Sequence, residues 1–79
     1  MENLLNQLDA GKTLVVTDTS TSVGGKVMKY ITEIYKKDNG YIVEGQTVAS
    51  RFGYSTLGEI ENYIKTIKEN SLDCSITAR

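Results

Sequence analysis

Two short stretches of the chain carry the glycine and lysine residues that phosphate-binding loops use. GKT at residues 11–13 matches the end of the pattern G-x-x-x-x-G-K-[ST], and SVGGK at residues 22–26 offers a second glycine–lysine pair. The pattern also needs an earlier glycine, and the two positions where it would stand are Asn6 and Ser20. A phosphate-binding loop runs from a strand into a helix, whereas GKT stands between a predicted helix and a predicted strand. We therefore predict no nucleotide site of this type.

The residues that usually perform acid–base and metal chemistry are scarce. The chain has no histidine and one cysteine, Cys74, so an intrachain disulfide is impossible and a zinc site lacks its usual ligands. A Cys74 nucleophile would have only lysines to activate it. Glu59, Glu61 and Glu69 fall on a predicted helix, where a solvated face is the expected role. The sequence predicts a protein that is not an enzyme and has no cofactor or metal.

Charge and the N-terminal residues restrict the partners and the compartment. Nine basic and ten acidic residues give a net charge of -1, which argues against nucleic acid as a partner. The N-terminus MENLLNQLDAGK lacks the basic start and long apolar run of a signal peptide or membrane span. With a single cysteine, these features favour a cytoplasmic protein without membrane contact.

The elements form one predicted α+β domain over residues 1–79, in the order α-β-β-β-α. A helix over residues 2–10 ends at Gly11, a strand follows at residues 13–18, and residues 26–50 form a hairpin. The main helix, residues 56–70, starts at a Thr56–Glu59 capping box and packs on a three-stranded antiparallel sheet. In the tail, alternating apolar residues favour a short fourth strand over disorder.

The hairpin has a predicted register. Asn39-Gly40 favours a type I′ turn in which Asp38 faces Tyr41, whereas a bulged turn that includes Asp38 would shift this register. One face, with less charge and with small residues that let a helix approach, is assigned to the core: Met28, Tyr30, Thr32 and Ile34 with Val43, Gly45, Thr47 and Ala49. The other face points outward and carries apolar residues between charged ones: Val27, Ile31, Tyr35, Ile42 and Val48.

The element order resembles that of the double-stranded RNA-binding domain, an α-β-β-β-α chain of about this length. That family holds phosphates with a lysine-rich start to its second helix. The matching positions here, residues 55–59, read STLGE and contain no cation. The resemblance leaves a degenerate RNA-binding-domain-like module as an alternative function.

The hairpin followed by RFGYSTLGEIENYIK is similar to small phage-encoded inhibitor proteins of the anti-CRISPR type. The similarity lies in size, composition and element arrangement, and no motif assigns a residue to a role. It implies a protein of phage or mobile-element origin that inhibits a host protein complex by stoichiometric binding.

The candidate site combines the outward sheet face with the segment before the main helix. We predict that seven residues bind a protein partner or a second copy in a homodimer: Ile31, Tyr35, Ile42, Val48, Arg51, Phe52 and Tyr54. Two structural alternatives remain: the N-terminal helix covers the sheet face, and the aromatic residues at 52 and 54 close the core. A functional alternative uses residues 51–54 beside a helix N-terminus to sequester a small anion such as a nucleotide messenger.

Overall fold

A computed structural model describes residues 2–45 and 51–79 of the chain. Val48, one of the predicted partner-binding residues, lies outside this part. The described elements follow one another as α1 (Glu2–Asp9), β1 (Leu14–Thr21), β2 (Val27–Lys37), β3 (Gly40–Glu44), β4 (Arg51–Tyr54), α2 (Leu57–Asn70) and β5 (Asp73–Ala78). The α+β class is as predicted, but the sheet has five antiparallel strands in the order β4-β3-β2-β1-β5.

The helix α1 ends where the sequence predicts. Gly11 has a φ of 105°, in the left-handed region that glycine enters without a Cβ clash. Its N–H donates to the carbonyl of Leu8, and the N–H of Lys12 donates to the carbonyl of Gln7, both at 3.0 Å. These two bonds form a Schellman motif. Gly11 is therefore a helix stop and not part of a phosphate loop.

The hairpin turn lies one residue earlier than predicted. Lys37 faces Gly40, so the loop residues are Asp38 and Asn39, and Asp38 takes the left-handed conformation with a φ of 54°. Gly40 belongs to β3, where a Cβ would stand 2.6 Å from the backbone oxygen of Tyr54. The glycine is thus needed for the close approach of the chain before α2. The partner residues shift by two, and an even shift keeps the side chains of β2 and β3 on their predicted faces; Thr47 and Ala49, also assigned to the core face, lie outside the described residues.

Two segments differ from the predicted three-stranded sheet. The segment from Arg51 to Tyr54 is not a strand of the predicted sheet, but it forms the edge strand β4 beside β3. The tail forms β5, which pairs with β1 over its full length and confirms the fourth-strand prediction. In the second arm of the predicted hairpin, β3 ends at Glu44, and residues 46–50 of that arm lie outside the described part of the chain.

The start of α2 follows the predicted capping box. The Thr56 hydroxyl accepts a hydrogen bond from the N–H of Glu59 at 3.2 Å, and the Glu59 carboxylate accepts the N–H of Thr56 at 3.2 Å. Ile60 and Ile64 are fully buried on the inner side of the helix. The helix begins one residue after the predicted boundary, with Thr56 as its N-cap.

Both helices pack on the same face of the sheet. Helix α1 contacts β2, β5 and α2, and α2 contacts β1, β4 and β5. Every buried apolar residue of the sheet belongs to the face that they cover, which we call the helix-side face: Leu14, Val16, Ile34, Tyr41 and Val43. We call the opposite surface the open face. No helix among the described residues covers it.

Candidate interaction surface

The open face has an apolar centre built from neighbouring strands. Tyr35 of β2 pairs with Ile42 of β3. Ile31, four residues earlier in β2 and on the same face, pairs with Thr17 of β1. Ile31 is 41% exposed, while Tyr35 and Ile42 are half-buried by the side chains around them. Side chains alternate between the two faces along each strand, so these residues lie on the face that points away from the core. The alternative in which α1 covers this face is wrong, because α1 lies with α2 on the helix-side face.

A row of four charged residues crosses the open face from edge to edge, and we call it the charged belt. Glu33 of β2 and Glu44 of β3 face each other directly, an arrangement that would be repulsive alone. Arg51 of β4 pairs with Glu44 at 3.2 Å, and Arg79, after β5, pairs with Glu33. Each carboxylate therefore has an arginine on its outer side, and the belt is electrically balanced.

Tyr35 is tied to the charged belt. Its hydroxyl donates a hydrogen bond of 2.7 Å to the Glu44 carboxylate, and this bond raises the pKa of Tyr35. The ring is held in place by the bond at its tip and by its pairing with Ile42. The apolar centre and the belt thus form one connected surface.

The three predicted site residues of β4 are divided between the two faces. Arg51 pairs with Glu44 and lies on the open face, whereas Phe52 pairs with Val43 and Tyr54 with Tyr41 on the helix-side face. They do not form one cluster, because residues 51–54 form a strand and adjacent strand residues point to opposite sides. Their role in partner binding stays a prediction.

The two aromatic residues of β4 have different surroundings. Tyr54 packs against the core and lies 6.0 Å from the ring of Tyr63 in α2, measured between ring centroids. Phe52 is 55% exposed although it points to the helix-side face. Tyr54 thus closes the core, as one alternative proposed, and Phe52 does not.

The N-terminus of α2 is already occupied by a carboxylate from its own first turn. One Glu59 oxygen accepts hydrogen bonds from the backbone N–H groups of Ser55 and Thr56, both at 3.2 Å. An external anion would compete with this carboxylate for the same donors. Arg51 cannot assist from β4, since it lies on the open face. This geometry does not favour the anion-binding alternative.

Two open grooves follow the flank of α2. One, of about 230 Å³, is lined by Asp18, Ser20, Tyr63, Thr66, Ile67, Asn70 and Ser71. The other, of about 340 Å³, is lined by Tyr54, Glu59, Asn62, Tyr63 and Thr66. Neither lining contains a lysine or an arginine, so neither groove offers a charge partner to an anionic ligand.

Cys74 is half-buried in β5, on the helix-side face opposite Asp18. Burial, with a smaller contribution from the Asp18 charge, raises the pKa of its thiol. The thiolate that a nucleophile requires is therefore disfavoured at neutral pH. Among residues 2–45 and 51–79, the acidic and cysteine side chains form no cluster suited to a metal ion.

The fold defines a small α+β protein with two helices on one face of a five-stranded antiparallel sheet, as far as the described residues show. Within those residues, neither helix combines the length and the apolar character needed to cross a membrane. Comparison with protein-family models, with curated proteins and with solved structures gives no match. The RNA-binding-domain and phage-inhibitor resemblances thus stay predictions.

Sequence reasoning missed the charged belt. The partners of its first ion pair are 7 positions apart in the chain, and those of its second are 46 positions apart. The second pair crosses β1 to connect β2 with the end of β5. No local spacing shows such pairs. The available signal was the alternation of Glu33 and Glu44 with Ile31 and Ile42, which placed both carboxylates on the outward face.

Proposed function

We propose that this chain is a small non-enzymatic binding protein whose open face covers a complementary surface on a protein partner. The observation that supports this most directly is the placement of both helices on one side of the sheet. Ile31, Tyr35 and Ile42 are left without a covering element among the described residues. A one-layer sheet with apolar residues on its free side buries them when a second surface packs there.

The apolar centre supports a protein partner on energetic grounds. Burial of apolar surface contributes about 25 cal/mol per Å², so covering Ile31 and Ile42 favours association. Tyr35 is the expected anchor, because tyrosine is enriched among the residues that dominate binding energy. Its hydroxyl is already held by Glu44, so less side-chain entropy is lost on binding.

The charged belt itself favours a protein partner over nucleic acid, although Lys29 and Lys37 of β2 also lie on the open face. Its two arginines are paired with glutamates, so the belt has no free cation to exchange for the counterions of a phosphate backbone. Paired charges also cost less to cover than isolated ones, because each keeps an opposite charge when water leaves. A partner surface with an apolar centre and a polar rim fits this pattern.

The biological role that we propose is inhibition by occupancy, as the phage-protein resemblance implies. A partner surface covered by the open face is closed to its other ligands. This role needs one copy of the chain per site and no catalytic residue. The partner complex is to be identified by affinity capture.

The experiment is affinity capture from a bacterial lysate with the purified protein, followed by titration of the captured partner. Ile31→Asp and Tyr35→Ala are expected to weaken binding by about tenfold or more, as interface anchors do. Val23→Asp is the matched control for Ile31→Asp, since Val23 is fully exposed in the turn between β1 and β2. Circular dichroism verifies that each variant is folded.

Phe52 is among the residues predicted to bind a partner, but it lies on the helix-side face and outside the proposed open-face site. Phe52→Ala is therefore the matched control for Tyr35→Ala, since both variants remove an aromatic ring, from opposite faces. If the partner binds the open face, Phe52→Ala retains wild-type affinity. If Phe52→Ala abolishes partner binding while Tyr35→Ala retains it, the partner binds the helix-side face and the proposal is refuted.

A further inference from the structure

The outer edge of β5 presents unpaired backbone groups. Thr13 and Arg79 exchange two hydrogen bonds, of 2.9 and 3.1 Å, so residue 79 directs its N–H and C=O toward β1. In an antiparallel pair this orientation alternates along the strand. The N–H and C=O groups of Cys74, Ile76 and Ala78 therefore point away from the sheet. No described strand pairs with them.

This edge lacks the features that usually prevent strand pairing. Edge strands are commonly protected by lysine, proline, a bulge or short length. β5 is six residues long, DCSITA, and contains neither lysine nor proline. β4, at the opposite edge, has four residues and contains both a glycine and an arginine. β5 is thus the better template for an added strand.

We propose that β5 pairs with β5 of a second copy, antiparallel about a two-fold axis through Ile76. In this register Ile76 faces Ile76 of the second copy, and Cys74 faces its Ala78. All outward-pointing groups of both strands then pair, giving about six backbone hydrogen bonds. The two sheets join into one sheet of twice the width.

Charge complementarity favours a second copy of this chain as the partner of β5, and it favours this register of the two strands. The same pairing places Asp73 of each copy opposite Arg79 of the other, at both ends of the joined strands. Ser75 faces Thr77 between them, and the apolar residues of both strands meet on the helix-side face. A slip of two residues removes both Asp73–Arg79 pairs and some of the hydrogen bonds. The strand is therefore complementary to itself in one register.

The intrachain contact of Arg79 is compatible with this pairing. Arg79 already binds Glu33, and a guanidinium has five N–H donors, enough for two carboxylates. The row of charges would continue from Glu33 through Arg79 to Asp73 of the second copy. The dimer would also join the two open faces side by side. It does not depend on the proposed function, because it uses the sheet edge and leaves the apolar centre free.

Sedimentation equilibrium from micromolar to millimolar concentration tests the dimer. The wild type is expected to be a dimer at the upper end of this range. Asp73→Arg and Arg79→Asp each place like charges opposite each other twice, and each is expected to weaken association about tenfold or more. The double variant D73R/R79D restores opposite charges, so it should associate about tenfold or more tightly than Arg79→Asp alone.

Two results would overturn the proposal. The first is a wild type that stays monomeric at millimolar concentration, which would leave the edge to a strand of another protein. The second is a dimer whose double variant, folded by circular dichroism, associates no better than Arg79→Asp. The double variant is compared with Arg79→Asp because both lack the Glu33–Arg79 pair.

Ala78→Pro provides an independent check. It removes an N–H that points to the free edge and leaves the β1 ladder intact. The variant is expected to be a folded monomer. A folded Ala78→Pro variant that dimerises like the wild type would place the contact elsewhere and contradict the proposal; if it does not fold, the charge-reversal set decides.

Discussion

The two faces of the sheet are made by the same strands and differ in what they bury. The helix-side face carries Leu14, Val16 and Ile34, all fully buried beneath the helices. On the open face, the residues between them include Val15 and Glu33, which stay partly exposed. Alternate residues of one strand thus differ in how much they contribute to the core. If the open face binds a partner, as we propose, a substitution there should change binding with little effect on folding.

The largest expected difference between the faces comes from removing a buried side chain. Ile64→Ala leaves a cavity beneath α2 and should reduce the free energy of unfolding by about 2–5 kcal/mol. Ile31→Ala, on the open face, should reduce it by less than about 1 kcal/mol because the side chain is already 41% exposed. Urea unfolding monitored by circular dichroism measures both. Equal losses would mean that something covers the open face.

A second comparison concerns two glycines. Gly40→Ala places a Cβ 2.6 Å from the Tyr54 oxygen, so the chain must shift, and we expect a loss of about 1–3 kcal/mol. Gly58→Ala, in the first turn of α2, meets Thr56 Oγ1 at an ordinary 3.8 Å and should stabilise the helix by up to about 1 kcal/mol. Thermal unfolding of the two variants distinguishes the expected loss of stability from the expected gain. If Gly40→Ala is neutral, β3 does not approach residue 54 as described.

Acid is expected to destabilise the protein by protonating Asp9 of α1, which makes contacts on the helix-side face. Asp9 accepts hydrogen bonds from the Tyr41 hydroxyl at 2.9 Å and the Lys36 ammonium at 3.2 Å, and these contacts lower the pKa of Asp9. A lowered pKa stabilises the fold above the ordinary carboxyl pKa, and this contribution is lost as pH falls through the folded-state value.

Asp9→Asn is therefore expected to be less stable than the wild type near neutral pH and to approach it in acid. Urea midpoints between about pH 6 and pH 2 measure the convergence. A constant difference between the two proteins across that range would show that the Asp9 charge is not held by these contacts.

The smallest expected effect is at the charged belt. Arg51→Ala removes an ion pair whose two side chains are 51% and 38% exposed, so it should change the free energy of unfolding by less than about 1 kcal/mol. Thermal melting with nucleotides added tests the anion alternative in the same samples. A nucleotide that stabilises the wild type but not Arg51→Ala would favour that alternative over the protein-binding proposal.

The elements with local signals were predictable from the sequence. Gly11 and the Thr56–Glu59 box mark helix ends through contacts within a few residues, and the alternation around Ile34 placed the correct hairpin face in the core. The strand at residues 51–54 was missed, because its pairing with β3 depends on contacts outside the segment. RFGY has no alternation strong enough to mark a strand.

The candidate site was predictable in part for the same reason. Alternation placed Ile31, Tyr35 and Ile42 together on the outward face, as the structure shows. It did not place Arg79 beside Glu33, since that contact requires β5 to return next to β1. The turn was misassigned because Asn39-Gly40 is a strong turn signal, while Gly40 is needed for contact with residue 54.

Isoleucine methyl NMR with a soluble gadolinium chelate tests the central claim most directly. In the free protein, the methyl signals of Ile31 and Ile42 should be broadened by the chelate, and those of Ile60 and Ile64 should be protected. After addition of the captured partner, we expect Ile31 and Ile42 to become protected as well. If they stay as broadened in the complex as in the free protein, the open face is not the binding surface.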